Sequence, residues 1–387
     1  MKISIATGPW FPVPAIQGGA VARLWHGLAE EFAAAGHEVT VLCRSYPGQL
    51  QTEVLNGVRY IRQGGYPQSP NIWLDLAKDF AYAASVFPTF PDADILVIND
   101  FWLPVFAAFR PQTGKIVINA NRYPKKQYWL YRKASFFSAA SQAILDAIVR
   151  QYPAASPKIK VIPNPINVET FSPSPERKKS EQEKTILFVG RIHPEKGVHL
   201  LVDAFRLLAK EISSVKLRVI GPYKEEQGGG GEKYLQQLKI RAKSLQVDFV
   251  DPIFEPEKLA DAYRQGDLFC YPSLAEKGES FGVAPLEAMA TGMVPVVSDL
   301  DCFKDFIVQG KTGFFFDHRG PQATEHLTAT LNYCLNHLED MEQIAAQAHQ
   351  VALNYGYEQV AKLYLEQFQS LINLSPAQRE VSLSTHS

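Results

Sequence analysis

Two doubly wound α/β domains with parallel sheets, facing each other across a cleft, are what the order of segments along this chain predicts. Short β-rich runs alternate with helical patterns almost end to end, as βαβ units require. A polar stretch with four prolines, "PNPINVETFSPSPERKKSEQEK" (163–184), interrupts the alternation near the middle. A second series of β-rich runs then starts afresh.

In the first half the strand candidates are 2–7, 38–44, 58–62, 95–99, 115–119, 135–139 and 158–162, each a run of β-branched and apolar residues. Helical patterns fall between them at 20–35, 72–86 and 142–151. The second series comprises "TILFVG" (185–190), "KLRVIG" (216–221), "VDFV" (247–250), "DLFCYPS" (267–273) and "VPVVSD" (294–299). The expected domains are therefore 1–164 and 184–355, with 165–183 as linker. An amphipathic helix follows at 358–371, and 376–387 reads as a flexible tail.

Bulk properties narrow the function. The chain has 387 residues, 46% of them hydrophobic and 20% charged, which is ample for two packed cores. Lys and Arg total 39 against 40 Asp and Glu, so no global charge points to nucleic acid. Cys43, Cys270, Cys302 and Cys334 lie far apart without metal-ligand spacing, and buried thiols in a reducing cytoplasm are expected. His193 and His199 lack ligand partners at useful spacing, so no metal site is assigned. No apolar run approaches the length needed to cross a membrane.

Ligands of open parallel sheets bind beyond the carboxyl ends of the strands, and the chemically distinctive residues fall there. "PAIQGGAVARL" (14–24) follows the first strand; Gly18 and Gly19 allow close backbone approach to a ligand and aim a helix N-terminus at it. This is not the GxGxxG spacing of a dinucleotide site. "FVGRIHPEKG" (188–197) puts Arg191 and Lys196 just after the first strand of the second domain, where a forked and a point cation can clamp a diphosphate.

"EKGESFGVAPLEAMATG" (276–292) raises the question of spacing. On one helix, Glu279 and Glu287 would lie about 80° beyond two full turns and about 12 Å apart in rise. Gly278 and Gly282 instead mark a loop, Pro285 suits a first helical turn, and Gly292 closes the helix. Glu279 is thus placed in a loop over a helix N-terminus, with Glu287 one turn inside. Carboxylates accept from paired hydroxyls, so one Glu can hold a ribose and the other a hexose, while the amides of Ser280, Phe281, Gly282 and Val283 meet the phosphates between.

Taken together, Gly18-Gly19, "VIPNPINVETF" (161–171), "GRIHPEKG", the E-x7-E pattern, "ATGMVPVVSD" (290–299) and "GKTGFFF" (310–316) resemble a retaining glycosyltransferase of the GT-B fold, in the group called glycosyl transferases group 1. The resemblance implies a nucleoside diphosphate sugar as donor, held mainly by the second domain. It implies that Glu287 takes the ribose, Arg191 and Lys196 the diphosphate, Glu279 the transferring sugar, and the loop around Ile253 the base. It further implies no metal or other cofactor, an acceptor that is a glycan, a lipid-linked molecule or a small molecule, and a C-terminal helix (356–375) crossing back to the first domain. Surface polysaccharide synthesis at the inner membrane face is a family-level expectation.

Departures from the pattern are specific. Relatives carry a first-domain His where this chain has Asn99 or Asn121, and Asn cannot exchange a proton near neutral pH. The resemblance therefore assigns the catalytic set Glu279, Arg191, Lys196 and Asn121, with Arg122 beside the last. Ser280 and Asp301-Cys302 replace usual glycines. A nucleotide-sugar epimerase and a non-catalytic nucleotide-sugar-binding subunit stay open as alternatives. "RYPKKQYWLYRK" (122–133) reads either as an amphipathic helix or as a patch for an anionic membrane surface. "EEQGGGGEKYL" (225–235) reads as a flexible loop before a helix.

Overall fold

The computed structural model describes residues 1–16, 19–69, 71–174 and 183–373. The chain divides into two compact units, Met1–Asn164 with Tyr357–Ser387, and Pro165–Gly356. Gly18, most of the linker after 174 and the tail 376–387 lie outside the described residues.

The first unit runs β1 (Lys2–Thr7), α1 (Ala20–Ala34), β2 (Glu38–Arg44), β3 (Thr52–Leu55), β4 (Val58–Gln63), α2 (Ile72–Val86), β5 (Ile95–Asn99), α3 (Leu103–Ala107), β6 (Lys115–Ala120), β7 (Phe136–Ala139), α4 (Gln142–Gln151) and β8 (Ile159–Val161). Its sheet has the order β3-β4-β2-β1-β5-β6-β7-β8, parallel except for β3 at the edge. β3 was not anticipated, because four residues joined to β4 by Asn56-Gly57 carry too little apolar pattern to stand out.

The second unit runs β9 (Lys184–Val189), α5 (Val198–Glu211), β10 (Val215–Ile220), α6 (Gly231–Arg241), β11 (Val247–Val250), α7 (Pro256–Arg264), β12 (Leu268–Tyr271), α8 (Val283–Ala290), β13 (Val294–Ser298), β14 (Phe314–Phe316), α9 (Ala323–Asn336) and α10 (Leu338–Leu353). All six strands are parallel, in the order β11-β10-β9-β12-β13-β14. β9, β12 and β13, buried on both faces, are near-continuous apolar runs, as in "TILFV" and "LFCY". Residues 165–174 of the expected linker pack within this unit: Ile166 bridges to Gly356 and Phe171 stands edge-on against Tyr263.

α11 (Tyr357–Asn373) belongs to the first unit. Val360, Ala361, Tyr364, Phe368 and Leu371 form its buried stripe at helical spacing. Trp25 and Phe32 of α1 meet Tyr364 at ring separations of 5.5 and 6.3 Å. Gly27 lies so close to the Tyr357 ring that a Cβ there would stand 2.3 Å from it. A buried polar network pins the same helix to the sheet: Asn119 Nδ2 donates to the Tyr364 hydroxyl at 3.0 Å, and that hydroxyl donates to Ser138 Oγ at 3.1 Å.

At the carboxyl ends of β1 and β5 the first unit buries a carboxyl pair. Asp79 of α2, 3% exposed, hydrogen-bonds Asp100, whose Oδ2 accepts from the Leu103 amide at the start of α3. Burial, then the neighbouring Asp100, pushes the Asp79 carboxyl up to about 9. The folded chain therefore keeps a proton that the unfolded chain loses above pH ~4, and stability falls as pH rises from there through 9. Asp79→Asn keeps a donor to Asp100 without a titrating proton. We expect it to flatten this decline and to gain on the order of 1–3 kcal/mol over wild type at pH 9, read from urea unfolding at pH 5 and pH 9. Parallel losses in the two proteins would show that the pair does not share a proton.

Candidate functional site

In the second unit the strand order reverses between β9 and β12: β10 and β11 lie to one side of β9, and β12 to β14 to the other. The connections leaving two adjacent strands in opposite directions open a crevice between them, where ligands of such sheets bind. The two connections here are residues 190–197, after β9, and 272–282, after β12. They carry Arg191, Lys196 and Glu279, with Glu287 in the helix that follows.

Close backbone contact joins the two loops. Gly197 adopts a left-handed φ of 68°, and a Cβ on it would come within 1.9 Å of the Pro272 carbonyl oxygen. The Glu195 carbonyl accepts from the Leu274 amide at 2.7 Å. Held this way, Lys196 reaches Glu279: Nζ to Oε2 is 2.6 Å, with both residues under 9% exposed. Tyr271, at the end of β12, lies beneath, its ring centre 5.5 Å from Nζ. Burial, then the Glu279 charge, raises the Tyr271 hydroxyl well above its ordinary range, so it stays protonated and hydrogen-bonds that carboxylate.

Arg191 is the more accessible cation. It donates to Glu195 Oε1 at 2.5 Å and to the Gly228 carbonyl at 2.6 Å. The glycine loop expected to be flexible is thus tied to the site. Gly228 takes a left-handed φ of 78°, and the Gly230 amide donates to the Ile192 carbonyl at 2.9 Å.

Two helices begin at this crevice. α5 starts after Gly197 and α8 after Gly282, which has φ 96°; neither has a side-chain cap on its first turn. Their N-terminal amides and macrodipoles favour an anion. Pro285 sits in the first turn of α8, where its missing N–H removes no helical bond. The helix ends as expected: the Gly292 amide donates to Met289 and the Met293 amide to Ala288, a Schellman closure. Glu287, one turn into α8, is 7% exposed and accepts from the Tyr263 hydroxyl at 3.0 Å.

The structure therefore brings Arg191, Lys196, Glu279, Ser280, Gly282, Val283 and Glu287 to one end of one sheet. Ile253 lies at the same end, in the turn after β11, half-buried. At Phe281 the expected contribution is the backbone amide. Its ring is 1% exposed and packs against Phe306 and Tyr355 at 5.5 and 5.9 Å, so only its backbone is available to a ligand. Gly19 and Asn121 belong to the first unit. Gly19 precedes α1 with φ 100°, and Asn121, just after β6, has a buried Oδ1 with no partner among the described residues. Asn99 is committed elsewhere, donating to Asn119 Oδ1 at 2.6 Å. Residues 122–133 form no amphipathic helix but a short 3₁₀ turn at Tyr128–Tyr131. No helix among the described residues is long and apolar enough to cross a membrane.

Sequence reasoning missed Glu195, Tyr263 and Tyr271. In the sequence Glu195 is merely an acidic residue between two loop cations. The two tyrosines sit in apolar helix and strand patterns, where an aromatic signals core.

Comparison with known proteins agrees with this layout. The family model "Glycosyl transferases group 1" matches residues 172–351, and "Glycosyltransferase Family 4" matches 18–170. The chain is 32% identical over 333 residues to a phosphatidyl-myo-inositol mannosyltransferase of Mycobacterium tuberculosis, covering 81% of this chain and 82% of that one. It is 30% identical over 239 residues to the lipopolysaccharide 1,2-N-acetylglucosaminetransferase of Salmonella typhimurium; the match covers 59% of this chain and 61%, less than two thirds, of that relative. Among solved structures, Anabaena HepE in complex with UDP and glucose superposes with a TM-score of 0.72 at 19% identity, covering 96% of this chain and all of that one. The chain belongs to the glycosyl transferases group 1 family and has its two-domain GT-B fold.

Proposed function

We propose that this protein transfers a hexose from a nucleoside diphosphate sugar to an acceptor hydroxyl, with retention at the anomeric carbon and without a metal ion. The observation that carries the reading is the single crevice between β9 and β12. There, two uncapped helix N-termini and two cations meet two buried glutamates. A diphosphate needs the first four features, and the flanking sugar and ribose need the last two. The relatives support the same class, since the Mycobacterium protein is named for mannosyl transfer and HepE is described with UDP and glucose.

In this reading the diphosphate lies over the starts of α5 and α8 with Arg191 and Lys196 beside it. Glu287 accepts from the ribose, Glu279 and the amides of Ser280 to Val283 orient the transferring sugar, and Ile253 borders the base. Charge grows on the leaving diphosphate as the glycosidic bond breaks, and fixed dipoles and cations stabilise it without reorganising. The departing oxygen accepts the acceptor's proton on the same face of the sugar, which gives retention. Glu279 positions rather than attacks. Asn121 contributes its amide to an acceptor or sugar hydroxyl. An epimerase would need a protonatable pair at the sugar, and Asn99 and Asn121 do not supply one. Labelled donor separates the readings: epimerisation releases no nucleotide, and a binding subunit turns nothing over.

A peripheral contact with an anionic membrane is part of the proposal, and a lipid-linked acceptor fits it. Arg122, Lys125, Lys126, Arg132 and Lys133 are exposed. Trp129 is 57% exposed and Phe109 72%, with Lys133 Nζ 5.1 Å from the Phe109 ring centre. Such a cationic and aromatic surface suits an interface. Four free, buried cysteines suit the cytoplasm.

Three outcomes are expected. In a thermal-shift screen of UDP-, GDP- and ADP-sugars, one nucleotide should raise the melting temperature well above the others; no response to any would end the donor assignment. Arg191→Ala should lower kcat/KM for nucleotide release about 100-fold with little change in melting temperature, because the side chain is 42% exposed and leaves no charge stranded. Wild-type turnover in that variant would refute the role of Arg191. Lys125→Glu combined with Lys126→Glu should reduce cosedimentation with anionic vesicles, whereas undiminished binding would remove the membrane contact.

A further inference from the structure

We propose that Tyr263 is the positioning residue for Glu287: its hydroxyl fixes the carboxylate in the orientation that receives the ribose. The inference rests on the assignment of the ribose to Glu287 and deepens it.

Tyr263 lies near the end of α7 and is fully buried. Its hydroxyl stands 3.0 Å from Glu287 Oε2 and 3.2 Å from the Ala284 carbonyl, both on α8. Burial, then the Glu287 charge, holds the phenol well above its ordinary range. It therefore remains a donor at every working pH and meets a carboxylate, which only accepts. A bond to a rigid, fully buried phenol narrows the rotamers open to the Glu287 side chain.

The donor is itself held from behind. Phe269 of β12 packs against the Tyr263 ring at 5.6 Å, and Phe171 meets it edge-on at 5.7 Å and 88°. Phe171 belongs to the "PINVETF" segment at the entrance to the second unit. The next residue of α7, Arg264, clasps that segment, donating from Nε to the Ser172 carbonyl at 2.9 Å and from NH2 to the Thr170 carbonyl at 2.6 Å. One helix thus ties the entering segment to the carboxylate assigned to the ribose. This gives the "PINVETF" motif a task that its sequence alone does not disclose.

The test uses calorimetric affinities for three probes: whichever of UDP, GDP and ADP gives the largest thermal shift, its 2′-deoxy counterpart, and inorganic pyrophosphate. Wild type should prefer ribose over deoxyribose by roughly tenfold, as expected for a hydrogen bond to a charged group. Tyr263→Phe, which removes one oxygen and keeps the ring, should cut that preference about threefold or more and leave pyrophosphate affinity unchanged. In Glu287→Ala the preference should vanish, and adding Tyr263→Phe should change nothing further. An intact ribose preference in Tyr263→Phe overturns the inference. So does equal weakening of all three probes, which would make Tyr263 a packing residue. A wild type without any ribose preference overturns the assignment of Glu287 itself, and the inference with it.

Discussion

At Gly197 the backbone runs against the Pro272 carbonyl with no room for a side chain. This contact sets the spacing of the two loops that build the crevice. A Cβ 1.9 Å from that oxygen would force the loop after β9 away from the loop after β12. Lys196 is the residue before Gly197, so its reach to Glu279 follows directly. The start of α5 follows too, since Gly197 is its N-cap. The same device recurs one strand over, where a Cβ on Gly221 would stand 1.9 Å from the Gly190 carbonyl. Glycine at these positions lets three successive βα turns crowd into one rim, which brings helix N-termini close enough to act on one anion.

How much of this the sequence discloses depends on the range of the interaction. β9, β12 and β13 are legible because strands buried on both faces must be apolar throughout. The loop-and-helix reading of 276–292 is legible because Gly282, Pro285 and Gly292 each encode a local backbone state. Glu195 and Tyr263 are not, because their importance lies in partners far along the chain: Glu195 is stitched to Leu274, and Tyr263 to Glu287 and Phe171. The inward turn of the Phe281 ring to Phe306 and Tyr355 is illegible for a related reason, since adjacency does not predict a side chain's direction. β14 was quoted only as part of "GKTGFFF", since three residues carry no periodicity of their own.

The first unit uses its polar residues differently. Asn99 is engaged with Asn119, which in turn meets Ser138 and Tyr364. A buried network of this kind specifies one register for α11 on the sheet, because a slip would part the Tyr364 hydroxyl from Asn119 and Ser138. An apolar stripe alone would tolerate such a slip. Asn121 stands in contrast, with an amide oxygen buried and unpartnered among the described residues. Pairing that oxygen with a ligand donor would break no internal bond.

On the proposed reading, charge balance would keep the two cations from making a general anion trap. Each comes already matched: Lys196 to Glu279 and Arg191 to Glu195. A buried pair of this kind contributes little net stability, but stripping away one partner strands the other at a cost of about 3–5 kcal/mol. On the proposed reading, a bare diphosphate that draws Lys196 away leaves Glu279 deprived. A diphosphate carrying a sugar brings hydroxyls that can donate to Glu279 in the same event. The exchange then closes with every buried polar group satisfied. The ion pair would thus act as a test of whether the sugar is present, and selectivity would arise from the penalty on incomplete ligands as much as from attraction to the complete one.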